Sequence, residues 1–205
     1  MIKIILVVFL LSGFVFADTD DGENMYMTFG SKKATAILTE LSFKGDSWAM
    51  YALGVSYYKG RGVVKNDKKA FELIRKAAIK GYPKAAFWLG EFYYFGIGTL
   101  KDYKKAYKWY EKAANFGEKK AMIKLAEMNL KGEGVEKDYL KTFYWYEKAA
   151  LEGDVKAQTK LGLLYAGGLG VKKDMKKAKF WIKKAYESGD EEAKRAWESF
   201  KLWKY

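Results

Sequence analysis

The sequence contains no cysteine and no histidine among its 205 residues. Without cysteine the chain forms no disulfide bond, so packing alone must stabilise the fold. Cysteine and histidine are also the usual ligands of zinc, copper and haem. We therefore expect no metal site, no cofactor and no transition-metal chemistry.

Long apolar runs are scarce, and the clearest one lies at the N-terminus. Lys3 precedes an unbroken apolar run from Ile4 to Leu11, and a small residue, Ala17, stands at a suitable cleavage position. This pattern predicts a secretory signal peptide over residues 1–17, cleaved after Ala17. Its apolar part, roughly 13 residues, is shorter than the about 20 residues of a membrane span. We expect a periplasmic or secreted mature chain with no integral membrane span.

Acidic residues are outnumbered, with 25 Asp and Glu against 38 Lys and Arg and a net charge of +13. Cleavage of the signal peptide removes Lys3 alone and leaves a charge of +12. A basic protein attracts acidic partners. Acidic protein surfaces and anionic polymers of the cell envelope suit an exported protein, whereas nucleic acid is not an expected partner because no recognised nucleic-acid module is present.

A repeat of 36 residues dominates the chain. Its most regular track consists of the pairs Leu53-Gly54, Leu89-Gly90, Leu125-Ala126 and Leu161-Gly162. Apolar residues recur at helical spacing in two stretches of each repeat, so each repeat is predicted to be a pair of helices. A second glycine track with the same period is predicted to end the second helix of each pair. Its members are Gly81, Gly117, Gly153 and Gly189.

The turn inside each repeat has its own signature, which reads KGRGVVKND, FGIGTLKD, KGEGVEKD or GGLGVKKD. The first glycine suits the left-handed conformation that ends a helix, and the polar residue at the end suits the N-cap of the next helix. The predicted N-caps are Asn66, Asp102, Asp138 and Asp174.

Glycine also occurs inside the first helix, at Gly54, Gly90 and Gly162, where it costs about 1 kcal/mol relative to alanine. Close contact with another helix would explain this cost. Ala126, the equivalent residue of the third repeat, supports that reading because it keeps the small size.

These tracks divide the chain into consecutive segments. We predict a signal peptide (1–17), a mobile leader (18–32), a degenerate half repeat (33–45), four repeats (46–81, 82–117, 118–153 and 154–189) and a C-terminal capping helix (190–205). The predicted fold class is an all-α, right-handed α-solenoid of helix-turn-helix repeats.

The repeat resembles the Sel-one-like repeat family, a branch of the tetratricopeptide-type solenoids. The second repeat meets the family pattern with Ala85, Leu89-Gly90, Tyr93, Gly96-Ile97-Gly98, Asp102, Ala106, Trp109-Tyr110, Lys112-Ala113-Ala114 and Gly117. The resemblance extends from Asp46 to the C-terminus. It implies an interaction scaffold, and this is our leading interpretation: an exported, monomeric protein, not an enzyme, that binds another protein or peptide.

In such solenoids the first helices line a concave groove, and the resemblance assigns the groove residues here. They are Tyr51, Tyr58, Phe87, Glu91, Tyr94, Ile123, Glu127 and Leu130, with Lys84 and Lys120 at the rim. An aromatic floor with a basic edge favours a partner segment that carries acidic residues. The open alternative is that these rings only fill gaps between neighbouring helices.

The resemblance carries a second interpretation. A cysteine-rich exported branch known from Helicobacter-like bacteria is linked to β-lactam binding and hydrolysis, although its cysteines are absent here. The one Ser-x-x-Lys sequence, from Ser56 to Lys59, would supply a nucleophile and its base, but the companion Ser-Asp-Asn and Lys-Thr-Gly motifs are missing. A β-lactam-binding enzyme is therefore the weaker alternative, and a binder of anionic envelope polymer is a further one.

Overall fold

The computed structural model describes residues 31–205, and all regular structure in that part of the chain is helical. The α-helices are α1 (Ser31–Phe43), α2 (Ser47–Lys59), α3 (Asp67–Ile79), α4 (Pro83–Phe95), α5 (Tyr103–Asn115), α6 (Lys119–Lys131), α7 (Tyr139–Leu151), α8 (Val155–Gly167), α9 (Met175–Glu187) and α10 (Glu191–Ser199), followed by a 3₁₀ helix over Leu202–Lys204. Equivalent helices of successive repeats start 36 residues apart, and α2 to α9 each contain 13 residues. The predicted all-α fold of repeated helix pairs is confirmed.

Both ends of the helical array differ in detail from the predicted segments. The first helix begins at Ser31, two residues before the predicted half repeat. Near the C-terminus α10 stops at Ser199, and Lys201 adopts a left-handed conformation with φ of 49° before the 3₁₀ helix. A left-handed residue cannot continue an α-helix, so the cap is a helix and a short 3₁₀ turn. The predicted signal peptide and residues 18–30 of the leader lie outside the described residues.

The described residues divide into two compact units, residues 31–85 and Ala86–Tyr205. In the described part of the first unit, α2 packs against both α1 and α3. The core between α1 and α2 contains fully buried Leu38 and Ala49 and the nearly buried Leu53. This unit therefore holds the half repeat and the first full repeat.

In the unit Ala86–Tyr205 the first helices α6 and α8 each lie between two second helices. Helix α6 packs against α5 and α7, and α8 packs against α7 and α9, while α10 closes the array against α9. The largest fully buried side chains of this unit include Tyr110, Leu125, Met128 and Leu161. Burial of such side chains at roughly 1.5 to 3 kcal/mol each makes this continuous core the main stabilising contribution, in a chain without disulfides.

The helix ends follow the predicted capping residues. Asn66, Asp102, Asp138 and Asp174 each accept a hydrogen bond from the backbone N–H three residues on. The glycine after the first helix has a φ of 71° at Gly60 and 77° at Gly132. The predicted turn chemistry is confirmed.

The glycines inside the first helices lie against the second helix of the same repeat. A Cβ atom on Gly90 would lie 2.6 Å from two ring carbons of Tyr110, and one on Gly162 would lie 2.5 Å from Cγ1 of Ile182. Real Cβ contacts essentially never come below 3.0 Å. The predicted reason for these glycines, close helix contact, is confirmed.

A different glycine joins consecutive repeats. Gly134, in the turn between α6 and α7, has a φ of 73°, and a Cβ atom there would lie 2.5 Å from the carbonyl carbon of Tyr103. Tyr103 is the first residue of α5, which belongs to the preceding repeat. Gly170 makes the same approach to the backbone of Tyr139 at the start of α7. Backbone thus meets backbone at these joints, with no side chain between them.

Candidate functional site

The predicted groove residues of the first unit differ in exposure. Tyr51 is buried and its ring lies 5.1 Å from the ring of Tyr82, centroid to centroid. Tyr58 is half-buried, with the ammonium of Lys65 5.6 Å from its ring centroid. Lys84 is half-buried at the start of α4. Tyr51 therefore serves packing, whereas Tyr58 keeps part of its ring accessible.

Ser56, the nucleophile of the weaker alternative, is buried in α2 with 1% of its surface exposed. Its hydroxyl donates a hydrogen bond to the carbonyl oxygen of Ala52 at 2.6 Å. Lys59 lies on the exposed end of the same helix. A nucleophile has to reach its substrate, so the burial of Ser56 speaks against an acyl-enzyme role.

The predicted groove residues of the second unit lie on α4 and α6 and are half-buried. Phe87, Glu91 and Tyr94 follow one another on α4 at intervals of four and three residues. Ile123, Glu127 and Leu130 do the same on α6, where Lys120 is exposed. Residues at this spacing share one face of a helix. Each helix thus presents one partly exposed face that mixes apolar and acidic side chains.

A lysine that the sequence interpretation did not single out links these two faces. The ammonium of Lys124 on α6 lies 3.8 Å from a carboxylate oxygen of Glu91 and 4.0 Å from one of Glu127. It also lies 5.5 Å from the ring centroid of Tyr94. Tyr110 on α5 donates a hydrogen bond to Glu91 at 2.6 Å. We call Glu91, Tyr94, Tyr110, Lys124 and Glu127 the Lys124 cluster.

The Lys124 cluster is ordered by its contacts but remains open to solvent. The side chain of Lys124 is 28% exposed and that of Glu91 is 21% exposed. Tyr94 donates a further hydrogen bond to Glu133 at 2.6 Å, which fixes its ring. Ion pairs near 4 Å are at the limit of useful contact, so the positive charge of Lys124 is only partly neutralised. The arrangement can exchange one of its own carboxylates for a carboxylate from outside.

The two tyrosines of the Lys124 cluster, Tyr94 and Tyr110, and a third tyrosine, Tyr146, have raised pKa values. Burial, followed by the charge and hydrogen bond of Glu91, raises the pKa of Tyr110 above its usual range. Burial and the hydrogen bond to Glu133 raise the pKa of Tyr94, and burial with the charge of Glu127 raises the pKa of Tyr146. Each phenol therefore stays a neutral hydrogen-bond donor at neutral pH.

The raised pKa values predict a loss of stability at alkaline pH. A tyrosine in the unfolded chain ionises at about pH 10, so above that pH the unfolded state binds fewer protons than the folded state. The free energy of unfolding should then fall by about 1.4 kcal/mol per pH unit for each fully buried tyrosine. Urea unfolding of wild type and of Tyr110→Phe/Tyr146→Phe, followed by circular dichroism from pH 8 to 11, measures this. The double variant should show a shallower fall, and parallel curves would refute the assignment.

A signal for the Lys124 cluster exists in the sequence, although it is indirect. Glu91 and Lys124 are 33 residues apart in the sequence, three fewer than the repeat of 36. Lys160 and Glu192, whose side chains contact each other at 2.6 Å, are 32 residues apart. Opposite charges 32 or 33 residues apart therefore mark contacts between first helices of adjacent repeats.

Among residues 31–205 no group of three Asp or Glu residues is placed to hold a metal ion.

Comparison with known proteins identifies the repeat. The Sel1 repeat profile matches four times, at residues 49–82, 83–115, 119–154 and 155–190. No curated protein sequence matches the chain. Within the described part of the chain, no helix has both the length and the apolar character required to cross a membrane.

Solved structures with Sel1-like repeats are similar to the chain. The protective antigen c5321 of uropathogenic Escherichia coli, described as displaying an SLR fold, has a TM-score of 0.81 and 30% identity over 84% of this chain. A Sel1 repeat protein from Oxalobacter formigenes has a TM-score of 0.76 and 32% identity over 83%. The chain spans 38% and 50% of the length of these two proteins. Helicobacter pylori cysteine rich protein B has a TM-score of 0.51 and 25% identity, covering 62% of this chain and 93% of its own.

Proposed function

Because the chain belongs to the Sel1 repeat family, we propose that it is an exported, monomeric scaffold that holds an acidic segment of a partner protein. Sel1 repeats generally mediate protein–protein interactions. Export is based on the signal-peptide pattern of residues 1–17, which lie outside the described residues. The binding face consists of the exposed parts of α4 and α6.

The observation that carries this proposal is the partly neutralised charge of Lys124. Its ammonium lies over the ring of Tyr94 and between two carboxylates at 3.8 and 4.0 Å. A partner carboxylate at normal hydrogen-bond distance makes a stronger contact than either of these. Ordering of the cluster before binding also lowers the entropic cost of association.

The basic surroundings favour an acidic partner as well. Helix α6 carries Lys119, Lys120, Lys124 and Lys131 against a single Glu127. The next first helix, α8, carries Lys156 and Lys160 and no acidic residue. Half-buried apolar groups such as Leu130 and Ile123 lie among these charges. A segment with acidic and apolar side chains is therefore complementary to this face.

The proposal predicts opposite effects of two neutralising substitutions. Lys124→Gln should weaken partner binding about ten-fold, because it removes the cation that receives the partner carboxylate. Glu127→Gln should strengthen binding about three-fold, because it removes a carboxylate that competes for Lys124. The same substitution at Glu147 on α7, a second helix, should change nothing and serves as the matched control.

The measurement uses a photo-crosslinking amino acid at position 130 in intact cells, with the same residue at Asn115 as the control position. We expect a discrete product from position 130, identified by mass spectrometry in the extracytoplasmic fraction, on a chain that begins at Asp18. The crosslinked partner is then purified, and its affinity is measured for wild type and for Lys124→Gln, Glu127→Gln and Glu147→Gln. A product that forms equally from Asn115, or an affinity unchanged in Lys124→Gln, would refute the proposed face.

A further inference from the structure

The second helices of the unit Ala86–Tyr205 carry a concentration of lysine. Helices α5, α7 and α9 contain four, two and five lysines and one glutamate each, with no arginine. All of these lysines except half-buried Lys179 are exposed. We call the exposed side chains of α5, α7 and α9 the lysine face.

Several of these charges have no partner in the described structure. The acidic partners that exist are local, as for Lys105 with Asp102 and Lys183 with Glu187. Among residues 31–205, no carboxylate oxygen lies within 4.0 Å of the ammonium of Lys104, Lys108 or Lys176. The fold does not use these lysines, so their charge is available to an external anion.

Large apolar side chains are exposed among these lysines. Leu140, Tyr144 and Leu151 lie at intervals of four and seven residues on α7 and are 72%, 46% and 68% exposed. Phe180 occupies the position of Tyr144 one repeat later, on α9, and is 60% exposed. This spacing places the α7 residues on one face of their helix. The lysine face therefore combines positive charge with apolar groups that the core does not cover.

The lysine side chains lie along aromatic rings in three successive repeats. The ammonium groups of Lys112, Lys148 and Lys184 lie 4.1, 5.6 and 5.6 Å from the ring centroids of Trp109, Trp145 and Trp181, each three residues earlier. This contact orders the lysine stem and leaves the charge at the surface. The rings themselves pack against the core, with Trp145 8% exposed, so they hold the lysine charges in place at the surface of three successive helices.

We propose that the lysine face binds an anionic lipid surface. A second copy of the chain does not fit, because two lysine faces repel each other. A protein partner is disfavoured because several of the lysines here are exposed and lack the ion pairs that order half-buried Lys124, and the buried centre of a protein–protein interface is depleted in lysine. A soluble anionic polymer would use the lysines but leave Tyr144 and Phe180 in water, whereas a lipid surface accepts both the charge and the apolar groups.

The test is cosedimentation of the purified full chain with vesicles at low and physiological salt. Wild type should bind vesicles that contain phosphatidylglycerol and should not bind pure phosphatidylcholine. Lys104→Glu/Lys108→Glu/Lys176→Glu should lower the partition coefficient about 100-fold or more, since one lysine near an anionic surface contributes about five-fold. Tyr144→Ser/Phe180→Ser should lower it about ten-fold without changing the net charge.

A triple variant with the same charge change outside both faces, Lys33→Glu/Lys194→Glu/Lys204→Glu, is the matched control and should bind as wild type does. All substituted positions are exposed, and circular dichroism checks that each variant is folded. Absence of binding to anionic vesicles, or equal losses in the two triple variants, would overturn the proposal. The lipid assignment is wrong if Tyr144→Ser/Phe180→Ser binds vesicles as well as wild type does. If this double variant, the control triple variant and wild type then bind polyphosphate equally well, the ligand is an anionic polymer.

Discussion

Gly134→Ala is expected to lower the free energy of unfolding by about 3 kcal/mol. Two costs add at this position. The left-handed backbone, with φ of 73°, costs a residue with a Cβ atom about 1 to 2 kcal/mol. The new Cβ atom would also lie 2.5 Å from the carbonyl carbon of Tyr103 and 2.6 Å from its oxygen, and overpacking costs about 1 to 3 kcal/mol. Backbone atoms at the start of α5 cannot move aside as a side chain would.

Gly153→Ala separates these two costs. Gly153 has a φ of 88°, but a Cβ atom there meets nothing within 4 Å. It should therefore show the backbone cost alone, about 1 to 2 kcal/mol. Urea unfolding of both variants, followed by far-ultraviolet circular dichroism, measures the difference. Equal losses in Gly134→Ala and Gly153→Ala would mean that the joint with α5 carries no strain of its own.

Gly90→Ala should destabilise the chain by about 2 kcal/mol and disturb the Lys124 cluster at the same time. Alanine gains about 1 kcal/mol of helix propensity over glycine, but its Cβ atom would lie 2.6 Å from the ring of Tyr110. That ring is fully buried and its hydroxyl is hydrogen-bonded to Glu91, so it has little room to turn. Overpacking and the loss of this hydrogen bond together outweigh the propensity gain.

The chain offers a control of the opposite sign. Gly167 also lies in a helix, and a Cβ atom there would make only ordinary contacts with Leu169 at 3.5 Å or more. Gly167→Ala should raise the free energy of unfolding by about 0.5 kcal/mol. Thermal and urea unfolding of both variants provide the comparison. If Gly90→Ala were more stable than wild type, the ring of Tyr110 would be free to repack. Close helix contact would then not be the reason for the small residue at this position of each repeat.

The sequence predicts the helices well because most of their ends are marked, and the second helices α3, α5, α7 and α9 are marked at both ends. Aspartate or asparagine at the N-cap and glycine after the last turn repeat every 36 residues, and both are local signals with a direct structural meaning. The end of α10 is the exception. The left-handed conformation of Lys201 has no sequence signature, because lysine rarely adopts it.

The candidate site was harder to predict than the fold. Helical spacing places Glu91 and Tyr94 on one face of α4, but it does not say how deeply each side chain is buried. Tyr51 has the predicted position and is nevertheless buried, because burial depends on what packs across the helix. The sequence does not single out Lys124, because its partner Glu91 lies in the neighbouring repeat and its partner Glu127 lies one helical turn away. Which of these side chains it contacts depends on the distance between α4 and α6.

The glycine joints at Gly134 and Gly170 have a consequence for how this chain can change in length. Each joint is a contact between main-chain atoms of neighbouring repeats, so it does not depend on which side chains either repeat carries. Duplication of a whole 36-residue segment would reproduce the same joint at both of its ends. Any other insertion within the array would displace a glycine from its place against the preceding helix. Growth by complete units, followed by divergence of the exposed residues, is therefore the route of extension that this architecture tolerates.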